Sequence, residues 1–310
     1  MSEQPPQSNT VRTNLVGGLG AAALVGMAGC DLVHKQVQGV TGTAHAEVLP
    51  LPNTPAAQEA RHLLNRVAFG AKPGDVARVA QMGTKNWLEE QLADTLPEDP
   101  IVNWRVNSID LQERVRSAPD TANDVDNAQL VAETLQAAIL RAVYSRHQLR
   151  ETLADFWTNH FNIYALKNNE RELVAIDTEQ VIRPHTLGKF RDLLLASAHS
   201  PAMLSYLDNQ QNKKGVANEN YARELLELHT LGVKSGYTQK DIQEVARCFT
   251  GWRLKTTGDI RYDVGSVLAS TKDPHPGFLY DPTLHDDGAK FIPFLNLRLV
   301  PNGGKKDADM

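Results

Sequence analysis

From residue 56 to about residue 252, apolar positions recur every three or four residues, the period of an amphipathic helix. In "AAQEARHLLNRVAFG", Ala60, Leu63, Leu64, Val67 and Ala68 share one stripe and Gly70 closes it. "KPGDVARVAQMG" predicts a short helix, with Pro73 near its start and Gly83 just past its end. "TKNWLEEQLAD" predicts the next, capped by Thr84. A long pattern resumes at "NAQLVAETLQAAILRAVYS". It is followed by "HQLRETLADFWTNHFN", "NERELVAIDTEQVI", "GKFRDLLLASAHS" and "PAMLSYLDN", each read as a helix. Ser200 and Pro201 supply a cap and a first-turn proline. "TQKDIQEVARCFTGW" opens with a capping-box pair, Thr238 and Asp241, and carries the stripe Ile242, Val245, Ala246 and Phe249. Beyond Trp252 the pattern turns irregular and extended. No repeat of 20 to 50 residues is present. The expectation is an all-α fold, an irregular multi-helix bundle with few or no strands.

The flanks break this period. Residues 95–125 are rich in Pro, Asp and Ser and read as a surface excursion. Residues 31–55, with Gly39, Gly42, Pro50, Pro52 and Pro55, read as a flexible linker. The disordered or signal-like stretch before it contains "LVGGLGAAALVGMAGC", an uncharged run too short and Gly-rich for a membrane span but suited to a signal peptide. Its end, Met27-Ala28-Gly29-Cys30, resembles a bacterial lipobox. Residues 1–30 are therefore expected to direct export, leaving the chain periplasmic or membrane-anchored by lipid at Cys30. Membrane contact is expected only through that anchor.

Composition narrows the function classes. The 310 residues are 41% hydrophobic and 22% charged, enough to build a packed core. A formal net charge of −5 provides no basic footprint, so nucleic acid is not an expected partner. Two cysteines, Cys30 and Cys248, make no disulfide framework, and Cys248 lies in a helical pattern as a small buried residue.

The densest polar stretch is "NENYARELLELHTLGV". At 100° per residue, Glu219, Asn220, Arg223, Glu224 and Glu227 form one polar arc. Tyr221, Ala222, Leu225, Leu226 and Leu228 oppose it, and His229 falls among them. Glu224 and His229 do not share a face as the ligands of a zinc-protease helix must. Three readings stand: a solvated ladder of i,i+4 ion pairs, a buried polar network, and a carboxylate site for proton transfer or a metal. His160, in "FWTNHF", lies between Phe156 and Trp157, which suits a desolvated base or ligand as well as a core histidine. His285, Asp286 and Asp287 in "HDDGAK" are a candidate cation loop or a plain Asp-Gly turn. Ser197 and Ser205 lack a nucleophile elbow, and no phosphate loop, GxGxxG or CxxC occurs. Ligand spacing does not indicate a divalent metal.

Taken together, "RHLLNRVAFGAKPGDVARVAQMGTKNWLEEQL", "LRETLADFWTNHFNIY", "HTLGKFRDLLLASAHSPAMLSYLDN", the NENYAREL block and "LHDDGAKF" resemble, in order, a bacterial family known as domain of unknown function 1800. The resemblance implies a largely helical domain, covering about residues 58–291, in proteins that often carry export signals. It implies no activity. Genes of the family often neighbour those of a sulfatase-like family, which suggests an envelope partner of that kind. Where the family commonly places a histidine before NHF, this chain has Thr158, so a two-histidine site there lacks a ligand. Residues 292–310 diverge, and "GGKKDADM" stands where family members run on, which predicts a shortened domain with exposed apolar surface. The family pattern includes Asn218, Glu219, Asn220, Arg223, Glu224 and His229. That shifts weight toward a buried network, with Asp208 of the YLDN turn and Glu227 as further members.

Two functions from different classes follow. One is a helical binding or scaffold domain of the cell envelope. The other is an envelope hydrolase with His160, Glu219 and Glu224 as candidate catalytic groups and His285 and Asp286 as candidate metal ligands. Convergence of these side chains would favour the enzyme, and separate pairing the scaffold.

Overall fold

The computed structural model describes residues 53–93, 95–109, 124–167, 170–255, 277–304 and 306–309. The expected signal segment, most of the linker and Cys30 lie outside the described residues, as do residues 110–123 of the expected excursion.

Three short helices open the fold: α1 (Pro55–Val67), α2 (Asp75–Met82) and α3 (Thr84–Leu92). Thr54 caps α1 by accepting from the Ala57 amide at 3.2 Å, with Pro55 in the first turn. Gly83 both closes α2 and precedes α3. Thr84 is therefore already helical, and its hydroxyl donates to Glu59 at 2.9 Å in place of the expected cap. Part of the expected excursion is the helix α4 (Pro100–Asn107), where Asp99 accepts from the Ile101 amide at 2.8 Å.

The long helix α5 (Asp124–Tyr144) leads to α6 (Gln148–His160). Next, α7 begins as Glu170–Ile176, widens into a π-helical turn at Asp177–Ile182 and ends as Arg183–His185. Then come α8 (Phe190–His199) and α9 (Pro201–Tyr206). Helix α10 (Asn220–Glu224) also widens, into a π-helical turn at Leu225–Thr230. Gly232 ends it at φ +94°, its amide donating to the Leu226 carbonyl at 3.0 Å. Helix α11 (Gln239–Cys248) carries the expected capping box, and Ile242, Val245, Ala246 and Phe249 are all buried.

The all-α expectation requires correction. The molecule is mostly helical, but two small antiparallel sheets follow α11. Strands β1 (Trp252–Leu254) and β2 (Phe278–Tyr280) pair with Trp252 opposite Tyr280. Strands β3 (Lys290–Ile292) and β4 (Leu297–Leu299) pair with Lys290 opposite Leu299. Strands of three residues are too short for alternation to register in the sequence. A last short helix, α12, spans Lys306–Asp309.

Apolar burial falls into three clusters. Ala57, Ala60, Leu64, Val76, Val79 and Trp87 hold α1 to α3 together. Leu130, Ala137, Leu173, Ile176 and Ala202 join α5, α7 and α9. The largest cluster runs from Phe161 and Ile182 through Tyr221, Leu226 and Ile242 to Trp252, Ile292 and Leu299, and so includes both sheets. Gly251 hinges α11 to β1 at φ +84°. A Cβ there would lie 2.5 Å from the Asp281 carbonyl oxygen, so the close strand approach requires glycine.

Candidate functional site

The π-helical turn of α10 decides where the NENYAREL side chains point. Opening the i→i+4 ladder to i→i+5 turns each residue through less than 100°. Tyr221, Ala222, Leu226 and His229 stay on the buried face. Leu228, expected beside Tyr221, rotates outward to 58% exposure. Such turns recur at functional sites, and this one meets the end of α6: the His160 Nε2–H donates to the His229 carbonyl oxygen at 2.9 Å. His160 is half-buried, packed edge-on to Trp157 and Phe161 and near the exposed ring of Phe156. His229 is only 5% exposed, and its ring lies 5.2 Å from that of Phe161. Burial, assisted by nearby His160, pushes the His229 pKa down to about 4, so the ring is neutral. Among the described residues its Nδ1 has no hydrogen-bond partner.

The asparagines form a network whose centre the sequence reading missed. Asn212 is fully buried. Its amide donates to Asn209 Oδ1 at 3.1 Å and to the Ala246 carbonyl at 2.8 Å. Its Oδ1 accepts from the Asn218 amide at 2.9 Å. Asn218 Oδ1 in turn receives the Asn220 amide at 2.9 Å, and the Asn220 side chain reaches the Leu207 carbonyl at 3.3 Å. Asn218 Nδ2 reaches the Asp208 carbonyl at 3.4 Å. The network therefore ties α10 to the YLDN turn through backbone oxygens. Asp208 itself, held at φ +58°, pairs its carboxylate with Lys167 at 3.2 Å.

The carboxylates stand apart from these amides. Glu219 accepts from Arg223 at 3.2 Å and from Gln239, on a partly exposed face. Arg223 thus holds Glu219, the i,i+4 partner one turn before it, and not Glu224. Glu224, expected to meet polar groups of α6 or the YLDN turn, makes no hydrogen bond or ion pair among the described residues. Partial burial and the neighbouring charge of Glu227 raise its pKa.

The HDDG loop is held inward. His285 is 1% exposed, and its Nδ1–H donates to the Thr250 carbonyl at 2.7 Å. Asp286 takes a two-pronged contact from Arg247, at 2.8 and 3.2 Å, and also accepts the Gly288 amide. That arginine lowers the Asp286 pKa to about 2. Both oxygens are thus already engaged by cationic or amide hydrogens. Asp287 lies 3.9 Å from His285 Nε2. Among the described residues, no three His, Cys, Asp or Glu side chains form a group that could hold a metal ion.

The candidates therefore fall into separate contacts. His160 meets the His229 backbone, Glu219 meets Arg223 and Gln239, His285 meets Thr250, and Asp286 meets Arg247. The first π-helical turn holds groups that the sequence reading passed over. Asp177 is buried and accepts from Ser200 Oγ at 2.5 Å, which removes that hydroxyl from the cap it was expected to form on α9. Burial pushes the Asp177 pKa up to about 7, against the opposing pull of the Ser200 hydrogen bond. Nearby, Arg183 grips Glu151 at 2.7 and 2.8 Å, and Arg141 grips Glu179 at 2.6 and 3.1 Å. The available signal was a charged residue on a buried stripe: Glu151 shares its face of α6 with Ala154.

Comparison with known proteins adds one finding. Residues 62–309 match the model of a family described as a protein of unknown function, DUF1800. No curated protein and no solved structure matches the chain.

Proposed function

The chain belongs to the DUF1800 family of proteins of unknown function, and from that premise we propose that it is a helical binding or scaffold domain of the bacterial cell envelope. The observation that carries this reading is an exposed apolar face on α5. Leu135, Ile139 and Val143 recur at i, i+4 and i+8 on the side of α5 away from Leu130, Ala137 and Arg141. Ile139 is 63% exposed, and on α4 Trp104 is 70% exposed. Exposed apolar surface of this kind marks interaction sites. The separate pairing of the His and carboxylate candidates supports the same choice.

The partner proposed is a sulfatase-like envelope protein, and the route to it is export with lipid attachment at Cys30. Two experiments test these points. Co-purification with a co-expressed sulfatase-like envelope protein should succeed for the wild type and fail for Ile139→Asp and Leu135→Asp. Retention by those variants would sink the reading. Cys30→Ala should move the chain out of the membrane fraction. A membrane-bound, unprocessed N-terminus in both forms would end the lipoprotein proposal.

One observation favours the hydrolase as a second reading. His229 keeps a neutral ring and an unpartnered Nδ1 in a π-helical turn against His160. If the chain is a hydrolase, His229→Gln abolishes turnover of a chromogenic ester while the fold persists by circular dichroism. Absence of turnover in the wild type removes this reading.

A further inference from the structure

A groove of about 420 Å³ lies between α11 and the β3–β4 hairpin. Its charges sort into two sets. Arg247 is consumed internally: it donates to Asp286, to both oxygens of Glu244 and to the Ala289 carbonyl. Glu244, the one carboxylate lining the groove, also accepts the Phe291 amide at 2.9 Å and is thereby fixed beside Arg247. Lys290 is almost fully buried and directs its ammonium to the carbonyls of Asp286 and Gly288.

That leaves Lys240 on the α11 wall and Arg298 on the β4 wall. Among the described residues neither makes an ion pair. Arg298 is oriented all the same, its guanidinium carbon 4.3 Å from the centre of the Phe291 ring. Stacking on a ring face fixes the plane of the fork and leaves its N–H edges free for an anion. The apolar part of the lining is Phe291, buried Leu299, Pro301 and Val300, the last 74% exposed. Both cations therefore line one groove that also presents apolar side chains.

We propose that this groove binds the phosphate of an amphiphilic phosphomonoester, with Lys240 and Arg298 on the anion and Phe291, Val300 and Pro301 against its apolar portion. Two cations match a group carrying close to two negative charges at neutral pH. A lysine point charge and a planar arginine fork are the usual pair for phosphate. The site is independent of the exposed α5 face.

The test uses the full chain. It is titrated calorimetrically at low salt with hexyl phosphate, hexanoate and inorganic phosphate, and floated with phosphatidylcholine vesicles containing phosphatidic acid. Hexyl phosphate should saturate one site, about tenfold or more tighter than inorganic phosphate because of its buried methylenes. Lys240→Gln and Arg298→Gln should each weaken it about tenfold. Both positions are exposed, so the unfolding midpoint should not move. Vesicle retention that hexyl phosphate reverses makes the ligand a lipid headgroup. Binding of the soluble ester without vesicle retention makes it a free ester. No saturable binding of hexyl phosphate, equal affinity for hexanoate, or binding that survives the double Lys240→Gln, Arg298→Gln change overturns the proposal.

Discussion

Asp177 and His229 occupy the two π-helical turns and titrate in opposite senses across one pH window. The folded pKa of Asp177, about 7, lies above its ordinary value of 3.8. Its contribution is complete below that ordinary value and is lost as pH rises toward 7. The folded pKa of His229, about 4, lies below its ordinary 6.5, so its contribution is complete above 6.5 and is lost as pH falls toward 4. Each shift corresponds to about 3–4 kcal/mol at most. The two slopes oppose each other between pH 4 and 6.5. Denaturant midpoints should therefore vary little with pH from these groups in the wild type. Asp177→Asn should uncover stability that climbs with pH, and His229→Gln stability that declines. Equal profiles for all three proteins would refute the opposition. A second contrast lies between Asn212 and Glu224. Asn212→Ala orphans the Asn218 amide and the Ala246 carbonyl and should cost about 2–4 kcal/mol. Glu224→Ala removes no described partner and relieves repulsion by Glu227, so urea denaturation should show a change below about 1 kcal/mol.

Among the elements, helices were legible wherever periodicity met punctuation. The Thr238–Asp241 box and the stripe of α11 came through intact because propensity, cap and burial all agree there. Gly83 marked the end of α2 but hid the true start of α3. The π-helical turns left no trace in a 100° wheel, and so the exposure of Leu228 and the burial of Asp177 were not foreseen. Asp99-Pro100 carried a legible helix start that composition obscured. Of the candidate site, the Asn218–Asn220 segment was singled out through its resemblance to the family pattern. Its hub Asn212 was not, since nothing local to "NQQNKKG" distinguishes a buried amide from a turn residue. Glu151 on a buried stripe hinted at a partner, but the pairing itself was not legible, because the ion pairs of α7 draw on α5 and α6. They support a prediction at this scale. Glu151→Ala leaves the largely buried Arg183 with only the longer Glu179 contact at 3.9 Å and should cost about 2–4 kcal/mol. Changing Glu151 and Arg183 together to leucine and methionine should recover much of that loss in thermal unfolding.

At the scale of the molecule, the family and its helical character followed from ordered motifs, while the grouping of side chains did not. No helix among the described residues is long and apolar enough to cross a membrane. Among the described residues, the buried apolar side chains of the α1 to α3 cluster are separate from those of the other two clusters. Much of its tie to the rest is polar and runs through the turn between α5 and α6. Lys72 donates to the Ser145 carbonyl at 3.1 Å, Gln91 to the Arg146 carbonyl at 2.9 Å, and the Phe69 amide to Gln148 at 3.3 Å. The Ser145 hydroxyl closes on Glu98 at 2.6 Å. Apolar burial is what makes unfolding all-or-none, so a polar join of this kind divides cooperativity. Native-state hydrogen exchange should find the amides of α1 and α2 opening together, at a lower free energy than those of α8 and α11. Gln91→Ala should lower the first value and leave the second in place, and a single value for both groups would show one cooperative unit. The α1–α3 segment would then be a detachable clasp, able to release the start of α6, and with it the helix that carries His160, without unfolding the body to which it is fastened.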